Sequence, residues 1–198
     1  MPKNVAILLF DEVDVLDFAG PFEIFSVAGR RSGGEPPFHA YTVAAKPGPV
    51  RARNDLVVTP HFTFATCPPP DVLVIPGGFG ARTAMHDPAI VEWVRCQHER
   101  TELTTSVCTG ALILGVAGLL DGLRSTTHYR AYDLLGETAP RTTVVRGVRY
   151  VDTGKVVTSA GVQAGMDMAL HVVARQLGLE AARETAHYIE YAWDPERV

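Results

Sequence analysis

The sequence predicts an α/β fold around a mostly parallel sheet. The first observation behind this is a set of short, nearly continuous apolar runs. Asn4 to Phe10 and Asp71 to Ile75 lack the polar alternation of a strand with one wet face, so they read as strands covered on both sides. The second is that such runs alternate with segments of helical spacing. The third is size and composition. With 198 residues, 46% apolar and 20% charged, the chain can fill one substantial core and is not a disordered polymer. One domain covering residues 1–198 is the expectation.

The elements follow in order. Asn4 to Phe10 is the first strand. After an acidic stretch, Gly20-Pro21 opens a helix to about Arg30, because proline suits a first helical position. The Ser32 to Pro37 segment, rich in glycine and proline, ends it. His39 to Ala45 is a strand. Leu56 to Phe64 is a strand with a bent or edge end, since Pro60 has no N–H for a ladder. Asp71 to Ile75 runs directly into Pro76-Gly77-Gly78. Asp87-Pro88 starts a helix to about Arg100. Leu103 to Val107 is a strand, followed at once by Cys108 and a helical run to Leu120. Arg124 to His128 is a short strand and Arg130 to Leu135 a short helix. Thr142 to Ala160 holds two or three strands broken at Gly147 and Gly154. Helices from Gln163 to Leu177 and Glu180 to Tyr188 close the chain.

Charge and hydropathy exclude several functions. Eighteen basic against 22 acidic residues give a net charge of −4, with no basic excess to attract nucleic acid or an anionic membrane. The longest apolar run, Ala111 to Leu120, is far short of the ~20 residues that span a bilayer. The first apolar run is stopped by Asp11, Glu12 and Asp14, so no secretory leader is expected and the cytoplasm is the default compartment. Cys67, Cys96 and Cys108 are odd in number and widely spaced, which argues against a disulfide framework, and no CxxC pair suggests zinc.

Ligands of open parallel sheets bind at the carboxyl ends of the strands. Four features fall there: Asp17, Pro76-Gly77-Gly78, the Cys108 turn and Thr127-His128. Cys108 is the candidate nucleophile. A nucleophile elbow needs small residues two before and two after, and Ser106 and Gly110 meet that need. The following helix N-terminus would favour thiolate. The plainer alternative is a buried structural cysteine. Cys96 in mid-helix and Cys67 in a proline-rich loop read as structural. Gly77 and Gly78 offer backbone N–H groups that suit an oxyanion hole, or form a plain tight turn. Asp17 is a candidate acid or base, or a helix cap. His128 is a candidate supporting residue, or a satisfied core histidine.

Six strings in order carry a resemblance: Leu8 to Pro21, Asp71 to Gly78, Thr105 to Gly122, Thr126 to Tyr129, Thr158 to Leu170 and Ile189 to Pro195. Through them the chain resembles the ThiJ/PfpI superfamily over essentially its whole length. Within it, the chain looks most like the isocyanide hydratases and the ligand-binding halves of AraC-type regulators. The resemblance implies a flavodoxin-like three-layer sandwich, a homodimer, and Cys108 as the reactive cysteine. It promotes Asp17, where isocyanide hydratases are similar in carrying Asp, and Thr109, which matches the threonine after their nucleophile. Peptidase-like members carry histidine there, and glutamine amidotransferases need a His-x-Glu that His187 and Glu190 do not form.

The implied reaction hydrates an isocyanide through a Cys108 thioimidate, with no metal or organic cofactor. Cys108 and Asp17 would share one proton, with thiolate on sulfur and the acid on Asp17. A small apolar cavity beside the pair would suit such a substrate. Two other functions stay open: a glyoxalase-like or redox-responsive thiol, and a freestanding ligand-binding domain. The chain stops at Val198, where AraC-type regulators continue into their DNA-binding part, so a small-molecule substrate and no nucleic-acid partner are expected.

Overall fold

The computed structural model describes residues 1–29 and 35–196. The expected helix end at Arg30 and the Ser32 to Gly34 part of the break lie outside the described residues. The strands are β1 (Lys3–Leu9), β2 (Phe38–Ala44), β3 (Val50–Arg51), β4 (Val57–Val58), β5 (Phe62–Thr63), β6 (Val72–Ile75), β7 (Leu103–Ser106), β8 (Arg124–Ser125), β9 (Thr143–Val144), β10 (Tyr150–Asp152) and β11 (Val156–Ser159). The helices are α1 (Val15–Val27), α2 (Ala81–Ala84), α3 (Pro88–Arg100), α4 (Gly110–Val116), α5 (Tyr132–Thr138), α6 (Ala164–Leu177) and α7 (Leu179–Tyr188).

The main sheet has seven strands in the order β10-β11-β7-β6-β1-β2-β5. Every pairing in it is parallel except β10 with β11. All four residues of β6, β7 and β11 are buried, as are the last five of β1. Helices cover both faces, which is why these strands show no polar alternation. Helices α1, α6 and α7 pack together in one layer, and α2, α3, α4 and α5 in the other. The fold is thus a three-layer, flavodoxin-like α/β sandwich, as expected.

Two local expectations are corrected. Helix α1 starts at Val15, not at Pro21, which lies inside it and is buried. Proline has no N–H for the carbonyl four residues back, so Asp17 C=O loses its usual helical partner. The acidic stretch is therefore partly helical, and Asp17 sits in the first turn of α1. Helix α4 ends at Val116, short of Leu120, before Gly118 at φ 76°. Elsewhere the Asp87 carboxyl caps α3 by accepting from Ala89 N–H at 2.9 Å. Pro60 divides its run into β4, which pairs with β3 apart from the main sheet, and β5, the sheet edge.

Candidate functional site

The chain builds the sheet outward from β1 through β2 to β5, then restarts on the other side with β6 and β7. The switch lies between β1 and β6, and a crevice at their carboxyl ends is the expected place for a ligand. The segments leaving β1 and β6 meet there. Asp14 N–H donates to Gly77 C=O at 3.0 Å, and Gly80 N–H donates to Glu12 C=O at 3.0 Å. Val13 and Gly78 form an isolated bridge. Gly78 has φ 118°, and a side chain there would drive into the Asp14 N–H and Glu12 carbonyl.

Cys108 follows β7 with φ 55°, in the left-handed region. For a non-glycine residue this costs on the order of 1–2 kcal/mol. Its surroundings hold it there. The Cys108 N–H donates to Ala160 C=O at 3.1 Å, and Thr127 Oγ1 donates to Cys108 C=O at 2.7 Å. Gly110 lies so close to β6 that a Cβ would come within 2.0 Å of Ile75 O. The small residue two places after Cys108 is therefore required by the close packing of the turn on the neighbouring strand. The Cys108 side chain is 6% exposed.

Asp17 has no exposed surface. Its Oδ2 accepts from Gly77 N–H at 3.0 Å. The Cys108 thiol beside it pulls the carboxyl down, and Oδ1 has no hydrogen-bond partner among the described residues. Burial first, and then the charge of Asp14, push the Asp17 carboxyl up to about 7, against the pull of Gly77 N–H and Cys108. Burial, and then the Asp17 charge, push the Cys108 thiol up to about 12, against the Thr109 N–H and hydroxyl. The Thr109 N–H at the helix N-terminus pulls toward thiolate, and burial opposes it. Interacting groups titrate as one unit. Both shifts disfavour two charges at once, so the pair keeps at least one proton between its members near neutral pH.

The glycine loop also differs from expectation. Gly77 N–H is committed to Asp17, and Gly78 N–H donates to Thr109 Oγ1 at 3.0 Å. The Thr109 hydroxyl in turn donates to Gly78 C=O at 2.9 Å. Neither glycine N–H is free to meet developing charge in this state. Thr109 N–H is the backbone donor that acts on the sulfur. The threonine expected beside the nucleophile thus has a visible structural job, fastening the loop after β6 to the turn after β7.

Cys108 opens onto a cavity of about 330 Å³. Gly78 and Thr109 line it beside the cysteine, with Phe79 and Val162 as its apolar part. Asp14, Arg53, Arg82, His128 and Arg130 also line it, so its lining is mixed, partly apolar and partly charged. His128 is half-buried, and its Nδ1 accepts from Arg130 N–H at 3.3 Å. Burial, followed by the charges of Arg130 and Arg82, holds His128 below its usual value, opposed by Asp14. Sequence reasoning missed the three arginines. Arg82 and Arg130 lie just beyond the Gly78 and His128 positions already singled out, but nothing marked Arg53.

The structure brings Cys108, Asp17, Thr109, Gly77, Gly78 and His128 together at one end of the sheet. Cys67 is half-buried and Cys96 exposed, and both lie outside this cavity. Among the described residues no group of three or more histidine, cysteine or acidic side chains is arranged to hold a metal ion. No helix among them is long and apolar enough to cross a membrane.

A doubly wound parallel sheet with a cysteine held at positive φ between strand and helix defines an α/β protein of the elbow-bearing, flavodoxin-like class. The chain belongs to the DJ-1/PfpI family, whose pattern matches residues 3–175. It is 34% identical over 198 residues to an isonitrile hydratase of Pseudomonas putida, covering 98% of this chain and 81% of that protein. It is 31% identical to the transcriptional regulator CdhR of Pseudomonas aeruginosa over 92% of this chain, and spans about half (53%) of the regulator's length. A crystal structure of a ThiJ/PfpI family protein from Pseudomonas syringae superposes with a TM-score of 0.86 at 32% identity, covering 99% of this chain and 78% of that one.

Proposed function

We propose that the protein is an isocyanide hydratase-like enzyme that converts R–N≡C and water to R–NH–CHO. The observation that carries this reading is a fully buried carboxyl, Asp17, beside the buried Cys108, with burial raising both groups. The identity to an isonitrile hydratase supports the choice of substrate class.

The chemistry follows from the one-proton state. Thiol with carboxylate, and thiolate with carboxylic acid, differ only in where that proton sits. The isocyanide carbon is electrophilic at its lone-pair-bearing end. As sulfur bonds to it, the thiol proton passes to Asp17 and from Asp17 to the same carbon, leaving the thioimidate R–N=CH–S–Cys108. Asp17, again carboxylate, takes a proton from water as its oxygen adds to this carbon and passes that proton to the nitrogen, giving R–NH–CH(OH)–S–Cys108, whose hydroxyl proton is the one sulfur recovers on collapse. Collapse expels Cys108 sulfur, which recovers a proton, and the formamide leaves. One water is consumed and the enzyme is regenerated. Thr109 N–H is placed to steady charge at sulfur. A homodimer and a cytoplasmic location stay part of this proposal.

The test is hydration of p-nitrophenyl isocyanide to its formamide by the native protein and by Cys108→Ala. Turnover abolished in the variant is the expected result. No turnover above background across several isocyanides would overturn the reading. The regulator relative supports a second one, a ligand-binding module without turnover. Tight small-molecule binding with no Cys108-dependent reaction would favour it.

A further inference from the structure

The character of the cavity says something about the substrate beyond its reacting end. Arg53 follows β3, Arg82 lies on α2, and Arg130 comes two residues after His128. These elements are remote in sequence, yet the arginines line the same cavity as Cys108. None of them is among the ion pairs of the described residues, whereas Arg51, two residues from Arg53, is paired with Asp55 at 3.0 Å. Three cations face a single acid in the cavity lining, Asp14.

Two of the guanidinium groups are also held in place. The Arg82 guanidinium lies 5.5 Å from the Phe79 ring centre. That of Arg130 lies 5.5 Å from the Tyr129 ring centre, and its Nε donates to Tyr129 Oη at 3.0 Å. Contact with a ring face leaves N–H groups at the guanidinium edge for an anion, and a guanidinium fork matches a carboxylate. Like charges gathered without partners repel one another, and an anionic ligand relieves that repulsion.

We propose that the substrate carries a carboxylate within a few bonds of its reacting carbon, and that Arg53, Arg82 and Arg130, which line the Cys108 cavity, hold this carboxylate. This deepens the hydratase reading and rests on it only for the identity of the reacting end. The anion-holding role belongs to the cavity whatever Cys108 attacks.

Two measurements separate the claims. The first compares kcat/KM for isocyanoacetate with that for its neutral methyl ester, in the native protein and in an Arg82→Gln/Arg130→Gln variant. The anion should be preferred by about tenfold or more, and the preference should shrink about tenfold in the variant and fall with added salt. The second needs no isocyanide. Iodoacetate and iodoacetamide both alkylate sulfur: the Sγ–C bond forms, iodide leaves, and the thiol proton passes to Asp17 or water. Their relative rates at Cys108, read by peptide mass spectrometry, should favour iodoacetate about tenfold more in the native protein than in the variant. An alkylation preference without turnover of any isocyanide keeps the carboxylate site and removes the hydratase reading. An alkylation ratio that neither the variant nor salt changes overturns the carboxylate site, even if isocyanides are turned over.

Discussion

Replacing Asp17 by Asn tests the physical reading of the buried pair most directly. The amide keeps an oxygen to accept Gly77 N–H but carries no charge at any pH. In the native protein the carboxyl is raised from the ordinary 3.8 to about 7, chiefly by burial. Between those values the folded state keeps a proton that the unfolded chain has released, so stability falls as pH rises, and levels off above about 7. The span from 3.8 to about 7, at about 1.4 kcal/mol per unit of pH, is roughly 4 kcal/mol. Urea denaturation at about pH 5 and about pH 8 samples most of it. Asp17→Asn should gain about 2–3 kcal/mol on the native protein between those two conditions. Other titrating groups are common to both proteins and cancel. Two further effects should accompany the gain. Isocyanide turnover should drop by about 10²–10⁴ with loss of the proton carrier. Cys108 alkylation should shift to lower pH, because the second cause of its raised thiol has gone. Stability curves that stay parallel across this range would refute the assignment of a buried, protonated Asp17.

Two predictions concern the loop and the elbow. Thr109→Val removes the hydroxyl that both accepts from Gly78 N–H and donates to Gly78 C=O, and should cost about 2 kcal/mol in urea denaturation, with Thr109→Ser restoring most of it. An unchanged midpoint in the valine variant would remove Thr109 as the fastener of this loop. Gly110→Ala places a Cβ about 2.0 Å from Ile75 O, a clash with backbone rather than with a movable side chain. The same denaturation assay should show a loss of about 3 kcal/mol or more, or no folded protein, and a loss under about 0.5 kcal/mol would contradict the packing of the elbow.

The parts of the fold legible in the sequence were those that water is kept from. Strands β1, β6 and β7 are buried on both faces, so their side chains alone announce them. The two-residue strands β3, β4, β5, β8 and β9 are legible only in part, since pairing with another segment makes them strands and their own residues do not. Pro21 misled the reading of α1 for a specific reason. Proline is favoured at a first helical position, but α1 tolerates it at a buried interior one and begins at Val15. The site divides the same way. Cys108, Thr109, Gly77 and Gly78 follow directly from strand ends, and Asp17 lies in the first turn of the helix after β1. Arg53, Arg82 and Arg130 come from three elements, and only the folded chain puts them around one cavity.

The energetics of Cys108 explain why the carboxyl matters more than the helix behind it. A favourable helix end is worth about 0.3–1 kcal/mol to a nearby charge, and up to ~2 kcal/mol when partly buried. The thiol is raised from 9.0 to about 12, a cost of roughly 4 kcal/mol for its thiolate at the same site. Burial and the Asp17 charge thus both oppose the thiolate that the Thr109 N–H at the α4 terminus favours. Sulfur can attack only as its proton departs, and the acceptor must be close, unsolvated and basic enough to take it. Asp17 meets these conditions: it is fully buried, one of its oxygens has no partner, and its own value lies near 7 instead of near 4. An ordinary solvated carboxylate would be about a thousandfold weaker as a base. The burial that disfavours the thiolate thus also raises the basicity of the group beside it. A site of this kind reacts when a substrate presents both an electrophilic carbon to sulfur and a place for the proton.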